Sequence, residues 1–99
     1  MQIEISEIAL KELTAIKKYI AVDSEYYAKL FISQIMNLIK KLTKFPQMGC
    51  IVPEINWNEI RELFYKHYRI IYKVKREKVI ILTIIHSSRD LNKYLKKDL

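Results

Sequence analysis

The stretch from Glu59 to Asp90, EIRELFYKHYRIIYKVKREKVIILTIIHSSRD, constrains the fold more than any other part of the chain. Three runs rich in Ile, Val, Leu, Tyr and Phe are separated by short charged breaks. Runs of this kind form β-strands, because branched and aromatic side chains pack well on a pleated surface. The predicted strands are Ile60–Tyr65, Tyr68–Lys75 and Lys78–Ile85, with Lys66-His67 and Arg76-Glu77 as turns. Neither turn has the favoured Asn-Gly chemistry, so longer loops remain open. The same stretch holds both histidines and all four arginines of the chain.

If the loops have two or four residues, strand alternation fixes the two faces. One face carries Arg61, Leu63, Tyr65, Tyr68, Ile70, Tyr72, Val74, Val79, Ile81, Thr83 and Ile85. It is the more apolar and is expected to meet the helices. The other carries Ile60, Glu62, Phe64, Arg69, Ile71, Lys73, Lys75, Lys78, Ile80, Leu82, Ile84 and His86. It is expected to be a half-open, basic, concave surface. On it Arg69 lies beside Ile84 and near His86, where a cation and an imidazole can grip a phosphate and move a proton. The plainer reading of Arg69 is an ion pair with Glu62 through a diagonal cross-strand contact. The plainer reading of His86 is a hydrogen-bonded residue at a strand end. His67 reads as a solvated turn residue.

The first half of the chain supplies the helices. Gln2–Ile5 alternates and reads as a short strand. Ser6 then caps a helix, with Glu7 in its first turn and Ala9, Leu13, Ile16 and Ile20 at helical spacing, ending near Val22. Asp23 or Ser24 caps a second helix running to Lys44, roughly 30 Å long, with Phe31, Ile35, Leu38, Leu42 and Phe45 on one stripe. Pro46 and Gly49 stop it. The two form an antiparallel hairpin whose stripe packs on the sheet. Gln47 to Asn58 reads as a loop, with Trp57 a packing anchor and Cys50 a small buried residue.

Ninety-nine residues, 51% of them hydrophobic, suit one domain spanning 1–99 with a full core. A single cysteine makes no internal disulfide and fits a reducing cytoplasm. No secretory signal is read at the N-terminus, and the longest apolar run, Val79 to Ile85 broken by Thr83, is far short of a membrane span. With two histidines, one cysteine and no Walker loop, GxGxxG or HExxH, neither a metal site nor a cofactor is expected. The formal charge of +7 is uneven: residues 1–58 contribute +1 and residues 59–99 contribute +6. Such a field suits nucleic acid, a nucleic-acid enzyme or an acidic protein.

Three short matches then stand in order: Ile60-Arg61-Glu62-Leu63, Tyr68-Arg69-Ile70-Ile71-Tyr72, and Ile85-His86-Ser87-Ser88-Arg89-Asp90-Leu91, with the Phe45-Pro46…Gly49 helix exit before them. In these the chain resembles the RelE/ParE superfamily of toxins from type II toxin–antitoxin systems, over nearly its whole length. The fold this implies is α+β: an N-terminal strand, a two-helix hairpin, a three-stranded antiparallel meander, and a short C-terminal helix or tail. The implied partner is a cognate antitoxin. The His-Ser-Ser-Arg-Asp-Leu ending looks closer to ParE, which implies growth inhibition by binding DNA gyrase. The alternative is RelE-like cleavage of mRNA on the ribosome. In that reading Arg69 and Arg89 stabilise the crowded phosphate, His86 acts as acid or base, and Tyr94 is an inexact match to a C-terminal tyrosine. Arg61, Glu62, Ile71, Lys73, Leu82 and Ile84 are the candidate partner-binding residues, their aliphatic members suiting an antitoxin segment laid across the second face. A third reading is a non-toxic basic RNA-binding or adaptor module.

Overall fold

The structure, a computed structural model, describes residues 1–95, with side chains described through residue 93. The order is β1 (Gln2–Ile5), α1 (Glu7–Ala21), α2 (Glu25–Lys41), β2 (Cys50–Ile51), β3 (Ile60–Tyr65), β4 (Tyr68–Val74), β5 (Lys78–His86) and α3 (Leu91–Leu95). The expected α+β class, strand followed by helix hairpin and meander, is what forms. The sheet has five strands in the order β1-β5-β4-β3-β2. β1 runs parallel to β5, and the other pairs are antiparallel.

Both turns are tight. Tyr65 pairs with Tyr68 across Lys66-His67, where Lys66 takes φ 53°. At the other turn the Lys75 amide donates to the Lys78 carbonyl at 2.8 Å across Arg76-Glu77. β2 went unforeseen. Two residues within the expected loop pair Cys50 with Glu62 and Ile51 with Arg61, which is too short a run to show a pattern. Two further expectations for this segment are corrected. Cys50 is exposed, because the edge strand has no layer over it. Trp57 is 45% exposed, serving the loop through its carbonyl, which accepts from the Ile60 amide.

Ser24 caps α2 by accepting from the Tyr27 amide, and the helix ends three residues earlier than the stripe suggested. Ala9 and Leu13 of α1 and Phe31, Ile35 and Ile39 of α2 pack with Leu42 against Ile70, Tyr72, Val79, Ile81 and Ile84. Burying a side chain of this size contributes about 1.5–3 kcal/mol, so this layer dominates the stability.

A β-bulge changes the assignment of faces. Tyr72 pairs with Ile81, but Ile71 pairs with Thr83, so Leu82 is an extra residue on β5. An inserted residue shifts everything beyond it by one, and each later side chain changes face. Ile84, expected on the second face, is buried in the helix-facing core. Ile85, expected against the helices, joins Val52, Ile60, Ile71 and Leu91 in a second cluster on the far side. His86 pairs with Tyr68 and follows Ile84 to the helix side.

The second face is also not the open concave surface expected. Val52 and Ile55 of the loop and Leu91 of α3 cover its aliphatic residues, with Leu82 packed against them. Ile71 is wholly buried there.

Gly49 explains how the loop reaches β3. Its amide donates to the phenol oxygen of buried Tyr72 at 2.9 Å. A Cβ at this position would stand 2.6 Å from both that oxygen and the Glu62 carbonyl. Only glycine permits such an approach.

Candidate functional site

The sequence placed Arg69 and His86 on one surface, and the bulge separates them. Arg69 pairs with Ile85 and Phe64, whereas His86 pairs with Tyr68. Neighbouring residues on a strand point to opposite faces, so the two do not converge.

Arg69 is 8% exposed and fully engaged. Its Nε donates to Glu62 Oε1 at 2.6 Å, the diagonal contact expected from the sequence. Its Nη1 and Nη2 donate to the two oxygens of Glu54 at 2.8 and 2.9 Å. Glu54, which no strand pattern marks, comes from the 52–58 loop that folds over the second face. The pair of charge-assisted bonds holds the Glu54 carboxyl below the usual carboxylate range. Two carboxylates also raise the arginine's own pKa further. Glu62 is 3% exposed, so its pair with Arg69 is interior, whereas Glu54 closes the network from the surface with its side chain 29% exposed.

Arg61, another candidate, is likewise occupied. It donates from Nε to the Asn58 carbonyl at 3.0 Å, from Nη2 to Asn58 Oδ1 at 2.8 Å, and from Nη1 to the Gly49 carbonyl at 2.9 Å. These bonds fasten both ends of the loop that delivers Glu54. Lys73 is half-buried between Ile60 and Ile80 in neighbouring strands. Tyr94 lies in α3, and its side chain is outside the described residues.

His86 and Arg89 do come together. They line an open cleft of about 600 Å³ with Glu12, Tyr19, His67 and Tyr68, and parts of Ala15, Ile16, Ile84 and Ile85 also border it. α1 forms one wall, and the end of β5 with the β3–β4 turn forms the other. The His86 ring lies 6.0 Å from that of His67 in a stacked arrangement and meets the Tyr68 ring edge-on at 5.4 Å. The Ser88 amide donates to His86 Nδ1 at 3.2 Å, and the Ser88 hydroxyl sits 2.7 Å from the same atom. An amide can only donate, so Nδ1 is the acceptor in that contact.

Glu12 is the residue that the sequence reading missed. Its carboxylate accepts from the Thr83 hydroxyl at 2.7 Å and from the Ile84 amide at 3.0 Å. Burial pushes its pKa up, while these bonds and the nearby charge of Arg89 oppose the rise. The signal was present but unused. Glu12 follows Ala9 by three and precedes Leu13 by one, so a carboxylate sits at the border of the buried stripe. Ser6 completes the same device: its hydroxyl donates to the Leu82 carbonyl at 2.9 Å and accepts from the Ala9 amide at 3.0 Å. The bulge is therefore stitched to the start of α1 by two side chains.

Next to the cleft runs a smaller groove between Ile20, Tyr27, Leu30 and Phe31 of the helices and Tyr65, Lys66, His67 and Tyr68 of the β3–β4 hairpin. His67 and Tyr68 line both, so the two form one continuous surface. Tyr19 is 77% exposed and Tyr27 61% exposed at its edge.

Among the described residues, no group of three or more His, Cys, Asp or Glu side chains is arranged to hold a metal ion. Among them also, no helix is long and apolar enough to cross a membrane.

Comparison with known proteins agrees with this architecture. The structure is similar to a chain of the chromosomal ParDE toxin–antitoxin system from P. aeruginosa, with a TM-score of 0.72 and 21% identity over 87% of this chain and 95% of that one. No curated protein matches the sequence. The family described as the ParE toxin of the type II toxin–antitoxin system, parDE, matches residues 3–91, from β1 to the first residue of α3. The chain belongs to the ParE toxin family.

Proposed function

We propose that this chain is a growth-inhibiting toxin that works in the cytoplasm by binding DNA gyrase, and that a cognate antitoxin silences it. The observation that carries the choice of gyrase over mRNA is the state of Arg69. An RNase needs an arginine free to meet charge developing on a phosphate. Arg69 spends its guanidinium on buried Glu62 and on Glu54 at the surface, with the net charge of the trio at −1. A phosphate brought there meets two carboxylates. Binding toxicity needs no such group and is compatible with an arginine used for packing.

The antitoxin reading is supported by the continuous surface beside α1 and α2. Its walls are aromatic and aliphatic, and its rim carries Lys66, Arg89 and two imidazoles against one carboxylate, Glu12. This fits an acidic amphipathic helix, which buries an apolar stripe and sets its charges on the rim. Tyr27→Asp, on the exposed edge, is expected to abolish co-purification with the antitoxin while leaving the fold intact.

The target is tested with purified toxin in two assays side by side, gyrase supercoiling and ribosome-programmed mRNA cleavage. Loss of supercoiling with intact mRNA is the expected result. Cut mRNA with normal supercoiling overturns the gyrase reading. Induced expression without any effect on growth favours the adaptor reading instead.

A further inference from the structure

We infer that Glu12 is a positioning residue for Arg89 and for the turn from His86 to Arg89. The inference rests on the reading above only in taking the mouth of the cleft as a working surface of the toxin.

The geometry begins at the bulge. The extra residue Leu82 turns the last residues of β5 over, so that His86 reaches the cleft instead of the far face. A bulge leaves the local ladder disrupted, and its polar groups need other partners. Ser6 takes the Leu82 carbonyl, and Glu12 takes the Thr83 hydroxyl and the Ile84 amide. Glu12 is thus bonded to the two residues that follow the inserted one. His86 lies two residues beyond Ile84 on the same strand and face.

Glu12 and Arg89 line the same cleft, and the positive charge of Arg89 opposes the rise that burial imposes on the Glu12 pKa. Arg89 is in turn tied to the strand end, because its amide donates to the His86 carbonyl at 3.0 Å. One side chain therefore fixes the strand that carries His86 and sets a carboxylate in the cleft that Arg89 also lines. The other titratable groups facing Glu12 in the cleft are His67, His86, Tyr19 and Tyr68. Among the described residues, Glu12 is the single carboxylate lining that cleft. An exposed arginine loses several rotamers on binding a partner, and a neighbour that restricts it in advance lowers that cost.

The test uses the full chain as Glu12→Gln, Arg89→Ala and the double variant. Glutamine keeps an oxygen for Thr83 and Ile84 but removes the charge that attracts Arg89. Glu12→Gln and Arg89→Ala are each expected to need at least tenfold more inducer than wild type for equal growth inhibition. The double variant is expected to be no weaker than the weaker single one, as coupled residues are not additive. Full toxicity of Glu12→Gln, or a double variant whose loss is the product of the two single losses, overturns the inference. A structural readout guards against misfolding. In wild type the Arg89 side-chain NMR signal is expected to move as Glu12 titrates, and in Glu12→Gln that movement in the carboxylate range is expected to vanish. A signal that ignores Glu12 also overturns the inference, even if Glu12→Gln fails to fold. If the non-additive loss of toxicity is seen but gyrase is unaffected, the gyrase reading falls and the role of Glu12 stands.

Discussion

Replacing Arg69 by Met removes the cation shared by buried Glu62 and partly exposed Glu54. Met fills much of the same volume, so the principal cost is electrostatic. Removing one partner of a buried pair costs about 3–5 kcal/mol, because the remaining charge keeps its desolvation penalty. Glu62, at 3% exposed, has no route to solvent without moving β3. For a domain of this size each kcal/mol moves Tm by at least ~4 °C, so the variant is expected to melt about 12 °C or more below wild type. The pH dependence has a definite sign. Arg69 lowers the folded pKa of Glu54 from 4.5, so wild type has a contribution that is full above that value and is lost as pH falls through the lowered folded pKa. In Arg69→Met that contribution disappears. The gap between wild type and variant, measured by urea unfolding, is therefore expected to hold from pH 7 to about 4.5 and to narrow as pH falls below that. Arg69→Met combined with Glu54→Gln and Glu62→Gln is expected to recover most of the loss at pH 7. A single-variant loss below ~1 kcal/mol, the usual ceiling for an exposed pair, or a gap that widens in acid, would refute the buried pair. The same variant bears on function, since any loss of toxicity it shows must first be corrected for unfolding.

Three further outcomes are expected. Gly49→Ala drives a methyl into the Glu62 carbonyl and the Tyr72 phenol and is expected to cost about 3 kcal/mol by chemical denaturation; a neutral result means that the loop is not held against Tyr72. Ser6→Ala removes both a helix cap and the bond to the bulge, for a loss of about 1–2 kcal/mol in the same assay. Glu12 has its folded pKa raised by burial, so its contribution to stability is largest at low pH and declines as pH rises from the ordinary carboxylate range through the folded pKa. Glu12→Gln is accordingly expected to gain on wild type over that window in urea melts.

The strands were legible because their alternation is strong, and β3 and the two turns fall where the pattern placed them. The helix caps were legible, Ser6 for α1 and, of the two candidates Asp23 and Ser24, Ser24 for α2; their side chains accept from the Ala9 and Tyr27 amides. The bulge was not legible. Leu82 is one aliphatic residue among several, and nothing in its chemistry says that it is unpaired. Yet that one residue exchanges the faces of Ile84, Ile85 and His86 and dissolves the expected meeting of Arg69 with His86. Glu62 was visible as a partner of Arg69 because both lie on strands at a fixed diagonal. Glu54 was not, because it arrives on a loop whose path depends on a close approach at Gly49 and a left-handed residue at Asn56. Long-range contacts of this kind have no local periodicity to read.

The parallel pairing of β1 with β5 has a consequence for how the toxin comes into being on the ribosome. Ser6 and Leu82, which join at the bulge, are 76 residues apart in the chain. At translation rates of about 5–20 residues per second, β1 waits roughly 4–15 s for its partner strand to be made. The second core also closes on Leu91. During most of its synthesis the nascent chain therefore has two helices without the sheet they cover. The fold can close only after Leu91 has been translated, a delay between the first strand and the finished sheet that is written into the order of the strands.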